Sequence, residues 1–113
     1  MSARREVILW TAQRVTAVVL AVCVVVHLVT IIYAVRGGLS AAEILGRTRG
    51  NYAWAAFYSV FVFAAAIHGA IGLRAIAAEW LGFRGALAEL AMTVAGVALT
   101  ITGLRAVAAV VGA

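Results

Sequence analysis

Each of the two histidines in this 113-residue chain sits inside a long apolar run, His27 in the first and His68 in the second. A polar or ionisable side chain at membrane depth costs free energy, about 2 kcal/mol or more for charged types, and marks a functional candidate. Imidazole offers two chemistries there. It can hydrogen-bond a neighbouring helix, or it can give a nitrogen lone pair to a metal, with haem iron the obvious partner in a helical bundle. The stretch Phe63-Ala-Ala-Ala-Ile-His68-Gly-Ala-Ile-Gly72-Leu-Arg74-Ala-Ile-Ala-Ala-Glu79-Trp80 frames the choice. At roughly 100° per residue, Phe61, Ala64, Gly72, Ala75 and Glu79 fall within about 40° of His68 on a helix. The ring therefore looks over a floor of mostly small residues, on which a flat cofactor can lie or a second helix can pack closely. One such histidine leaves the two readings balanced. Two of them, with almost no other polar group at depth, favour a shared purpose.

Three spans must position these rings. The chain is 66% hydrophobic, 12% charged and free of proline. A water-soluble domain needs about a quarter of its residues charged, so the apolar excess must face lipid. Spans are expected over residues 7–35, 52–80 and 86–111 of a single transmembrane domain, 1–113, which is an all-α membrane fold. Arg36-Gly37-Gly38 closes the first. Ser40-Ala-Ala-Glu43 has the spacing of a capping box, so a short helix is expected from there toward Leu45, ending before Gly46. Leu81 to Gly85 forms the tight turn between the second and third spans. Gly96 and Gly103 fall inside the third, where membrane helices use glycine for close approach. Counted at 1.5 Å per residue, His68 lies about 18 Å from Trp80, and His27 about 25 Å from Trp10. The two rings are not clearly level, so one haem between them and two separate haems both remain open.

Charge and cysteine exclude several classes. The net charge of +5 comes from nine arginines and no lysine, scattered along the chain. No basic stripe or stacking platform accompanies them, so nucleic acid is not expected as a partner. Cys23 stands alone in mid-span, which removes intrachain disulfides and cysteine metal sites. Arg4 and Arg5 ahead of an apolar run imitate a signal peptide, but the run is too long and lacks a convincing cleavage site; a retained first span is expected. Trp10 and Trp80 fall at one membrane face, and Tyr33, Tyr52 and Trp54 at the other, as aromatic belts require. The arginine balance weakly favours a cytoplasmic N-terminus. Chemistry on soluble substrates is expected to belong to other chains.

The run His68-Gly-Ala-Ile-Gly72-Leu-Arg74, closing on Glu79-Trp80, resembles the second-helix signature of the membrane-anchor subunits of succinate dehydrogenase and fumarate reductase. There a histidine is followed by glycine four residues on, often by arginine, and later by an acidic residue with an aromatic neighbour. Gln13-Arg14-Val15-Thr16-Ala17-Val18 is similar to that family's first-helix His-Arg-Val-Thr-Gly segment, with Gln13 in place of a frequent histidine.

The resemblance implies a set of roles. His68 would be an axial ligand of haem b, in a bundle completed by a second membrane-anchor chain. Arg14 would help form the quinone site. Glu79 and Trp80 stand where many members carry Asp-Tyr; here the indole can only donate from its N–H. His27 matches the first-helix histidine of di-haem members, so a second haem iron is open to it. Arg74 and Arg105 are candidates for haem propionates. The implied partners are a flavoprotein subunit, an iron–sulfur subunit and the lipid bilayer, in a bacterial cytoplasmic membrane. The dicarboxylate site would lie on another subunit, and no residue here is expected to be catalytic. A small multidrug-type transporter is the rival reading, but it needs four spans and an acidic residue at mid-membrane. None of Glu6, Glu43, Glu79 and Glu89 lies there. A haem-free structural subunit is the third reading.

Overall fold

The computed structural model describes residues 2–112. Four helices occur among them: α1 Ala3–Arg36, α2 Ala41–Thr48, α3 Tyr52–Leu81 and α4 Ala86–Val111. Three, α1, α3 and α4, are long and apolar enough to cross a membrane. They coincide with the expected spans to within a turn or so, and the all-helical, three-span fold is as the sequence implies.

Local chemistry sets the helix ends. Ser2 caps α1 by accepting from the Arg5 backbone N–H. Ser40 and Glu43 form the expected capping box at the start of α2. That helix runs on through Gly46 to Thr48, beyond the limit its sequence suggested. Its end is tied down elsewhere: the Thr48 hydroxyl donates to the Val110 carbonyl at 2.7 Å, and the Gly50 N–H donates to Val111 at 2.9 Å. These bonds satisfy carbonyls that the last turn of α4 would leave open, and they offset the poor helix propensity of one glycine. Asn51 caps α3 by accepting from the Ala53 and Trp54 N–H groups. Gly82 ends it in a left-handed conformation, φ 64°, that a side chain would resist.

The helix α3 packs against both α1 and α4. The contacts are made by small residues. Gly96 approaches Ala70, Gly69 approaches Leu99, and Gly103 lies against Val62. Such pairs let helix backbones come close where no hydrophobic driving force separates protein from lipid. Among the described residues, Ala64, Ala66, Ala77 and Ala88 are the buried apolar positions beside Cys23 and Val107, Thr16 and Thr48 are the buried polar ones, and no large side chain is fully buried. The large apolar side chains instead point outward along all three spans. That surface must meet lipid or another apolar chain.

Candidate functional site

His68 sits at the middle of α3, where α1 crosses it. Part of the floor predicted around the ring, at Gly72, is used by that neighbouring helix. Gly72 faces the Gln13 side chain so closely that an added Cβ would lie 3.3 Å from Gln13 Nε2. One turn along each helix, the Thr16 hydroxyl lies 3.2 Å from His68 Nδ1. Gln13 and Thr16, three apart on α1, thus face Gly72 and His68, four apart on α3, as antiparallel helices in contact require. Gln13 Oε1 is the one buried side-chain polar atom without a partner among the described residues. His68 itself is half-buried, and its Nε2 has no hydrogen-bond partner among the described residues and is not among the sealed polar atoms.

His27 is in a different place. Its ring meets the edges of Tyr58 and Phe61, with centroids 5.9 and 5.6 Å away. From Thr16 to His27, α1 rises about 16 Å; from His68 to Phe61 and Tyr58, α3 rises about 10–15 Å. A single iron bonded to both rings would need their nitrogens about 4 Å apart, since metal–imidazole bonds are about 2 Å long. The two imidazoles of one chain therefore belong to separate sites. Beside His27 a cavity of about 540 Å³ opens between α1, α2 and α3, with Tyr33, Ile44, Arg47 and Trp54 among its walls. At its polar edge Arg47 lies over the Tyr33 ring, 5.7 Å from the centroid.

The remaining candidates divide between two places. At the membrane face holding the N-terminus of α1, Arg74 Nε donates to Glu89 Oε1 at 2.7 Å, and Arg74 Nη2 lies 3.8 Å from Glu6. Arg5 donates to the other Glu89 oxygen at 2.6 Å. One carboxylate thereby joins α1, α3 and α4. Charge-assisted bonds of this kind are the strong ones, although exposure weakens the Arg5 half. Glu79 lines a polar cavity of about 670 Å³ beside this cluster, together with Arg5, Glu6, Arg74 and Arg84. Arg14 and Trp80 do not line it. The Arg14 guanidinium lies over the Trp10 ring at 5.3 Å, and Trp80 is 81% exposed. Arg105 is exposed on α4, and the Gly103–Val62 contact sets it near the level of His27.

Thr16, Gln13 and Glu89 carry more of this arrangement than the sequence suggested. Thr16 stood out only as part of a motif, because a threonine in a membrane helix ordinarily bonds its own backbone. Glu89 could have been singled out as the acidic residue in the first turn of α4, across the turn from the cationic Arg74 on the helix before it. Among the described residues no three histidine, cysteine, aspartate or glutamate side chains gather around a common point. A haem, needing one axial nitrogen from this chain, is a different requirement. The residues fit it: a half-buried imidazole is held at one nitrogen and left unsealed at the other.

These features define a class, a multi-pass helical membrane protein with separate imidazole sites at two depths. Residues 1–107 match the family described as the succinate dehydrogenase/fumarate reductase transmembrane subunit, and the chain belongs to that family. It is therefore a membrane subunit of an oxidoreductase complex. Comparisons with curated proteins and with solved structures give no match.

Proposed function

We propose that this chain is a haem b-binding membrane anchor of a succinate:quinone oxidoreductase. It would hold a flavoprotein and an iron–sulfur subunit at the face carrying Arg5, Arg74 and Glu89, taken as cytoplasmic. The observation that carries the reading is the His68 imidazole, placed mid-helix with Nδ1 engaged and Nε2 unsealed. When bound, the haem supplies a one-electron carrier, and its chemistry is its own. The chain contributes the axial nitrogen, the depth at which it is held and the apolar walls. A second ligand to the iron would come from a partner chain, a second anchor or another copy of this one, because His27 is too far along the bundle to provide it.

The quinone site is proposed at the same face. Glu79 stands in the polar cavity there, and Arg14 and Trp80 lie on the outer surface nearby, where a partner subunit can close the site around them. Arg74 is held by Glu89 and Glu6, so a propionate would compete with those carboxylates for its guanidinium. His27 and its adjoining cavity are proposed for a second haem, distal to the first, with Arg105 at the matching level for its propionates. The transporter reading loses its basis with the family membership, and all four glutamates lie in the first or last turn of a helix.

The test is to purify the intact complex through this chain and record reduced-minus-oxidised spectra. His68→Ala should remove one b-type signal and His27→Ala a second. A complex that retains its flavoprotein and iron–sulfur subunits but has no haem in the wild type would leave only the scaffold role.

A further inference from the structure

We infer that Thr16 is a positioning residue for His68. Its hydroxyl oxygen accepts the Nδ1 proton and thereby presents Nε2, as a lone pair, to whatever the ring ligates. The inference rests on the haem reading above and goes beyond it, by assigning the tautomer of the ligand and the group that fixes it.

Proton accounting on the hydroxyl supports the assignment. A threonine has one hydroxyl proton and two acceptor lone pairs. Thr16 Oγ1 lies 2.7 Å from the Ala12 carbonyl and 3.1 Å from the Gln13 carbonyl. Both are acceptors only, so the single proton lies toward the α1 backbone. The third neighbour, His68 Nδ1 at 3.2 Å, must then be a donor to the same oxygen. In a neutral imidazole a proton on Nδ1 leaves Nε2 without one. The opposite tautomer would turn two proton-free atoms toward each other, Nδ1 and Oγ1, or would take the proton from the shorter bond to Ala12.

Placement makes this contact a constraint. Thr16 is 8% exposed, so water does not compete for its oxygen. No other residue is hydrogen-bonded to the His68 ring among the described residues. The β-branched side chain has few rotamers in a helix, and the back-bond to Ala12 fixes the one it adopts. Next to it, the Gln13–Gly72 contact sets the distance between α1 and α3, which fixes the reach from Oγ1 to Nδ1. Groups that accept from the far nitrogen of a ligating histidine orient the ring and raise its basicity. A more basic ligand favours the oxidised metal, so Thr16 should hold the potential down.

The experiment compares wild type, Thr16→Ser, Thr16→Ala and Thr16→Val in the intact complex, by redox titration of the haem optical signal and by electron paramagnetic resonance of the oxidised haem. Removing such an outer partner changes metal affinity by about 10–100-fold, and a neutral hydroxyl belongs at the weak end. If that tenfold is felt by one oxidation state, the midpoint potential rises by up to about 59 mV in Thr16→Ala and Thr16→Val. Thr16→Ser should stay near wild type. If Thr16→Val fails to assemble, the comparison of Thr16→Ala with Thr16→Ser decides. Equal potentials and unchanged resonance across Ser, Ala and Val overturn the inference while leaving the haem intact. A wild-type complex without haem instead overturns the reading beneath it.

Discussion

The packing of α3 on α4 gives the sharpest quantitative prediction. A Cβ placed on Gly103 would lie 2.5 Å from Val62 Cγ1, 2.9 Å from Cγ2 and 3.3 Å from Val62 Cβ. Carbon atoms in good contact are about 3.5–4.0 Å apart, so the shortfall is about 1 Å at the nearest atom. Valine cannot turn away, because in a helix it has one strongly preferred rotamer, and here both its methyl carbons are too near. Gly103→Ala must therefore push the helices apart, loosening the Gly96–Ala70 and Gly69–Leu99 contacts along the same seam. Overpacking of this kind costs about 1–3 kcal/mol. Val62→Ala removes both crowding methyls, so it should return most of that loss in the double variant. The assay is a double-mutant cycle on unfolding in mixed micelles, followed by circular dichroism, where the two changes should couple by about 1–3 kcal/mol. Strict additivity, or a Gly103→Ala variant as stable as wild type, would refute the close approach of these helices.

Further substitutions probe the ends of the bundle. Asn51→Ala removes the acceptor for two N–H groups at the start of α3 and should lower stability by about 1 kcal/mol, measured in the same unfolding assay. Gly46→Ala should raise it by up to about 1 kcal/mol, because the position is helical and nothing lies within 4 Å of an added Cβ. Glu89→Gln should weaken the clasp among α1, α3 and α4, lower the melting temperature of the complex and reduce its dependence on salt. A Glu89→Gln complex with the salt response of wild type would show that these ion pairs carry no stability.

Much of this fold was legible because lipid imposes a simple rule. Backbone groups have no water partner in the bilayer, so each long apolar run had to be a helix. The capping box at Ser40 and Glu43 was equally readable, since its partners lie three residues apart. Gly46 misled for the converse reason: what carries α2 through it is the tie from Thr48 and Gly50 to α4, about sixty residues away in the chain. The site divides in the same way. The face of His68 followed from helical period, but that period could not tell whether Gly72 and Ala64 made room for a cofactor or for α1. The answer depended on Gln13 and Thr16 arriving from another helix. Arg74 looked like a partner for an anionic ligand because Glu89 lies beyond the turn, and the direction of α4 was needed to bring the two together.

If both imidazoles hold haem as proposed, the distance between them governs electron flow. Two rings about 10–16 Å apart along one bundle would then serve carriers at two depths, each site completed by a partner chain. A complex with one haem would leave the cavity beside His27 to another apolar occupant.

The most direct measurement is the haem content of the purified complex, per copy of this chain, in wild type and in His68→Ala. Ligation by His68 predicts that the variant keeps its flavoprotein and iron–sulfur partners, loses one haem per chain and loses the corresponding reduced-minus-oxidised band. An unchanged haem-to-chain ratio and an unchanged band in His68→Ala would contradict it.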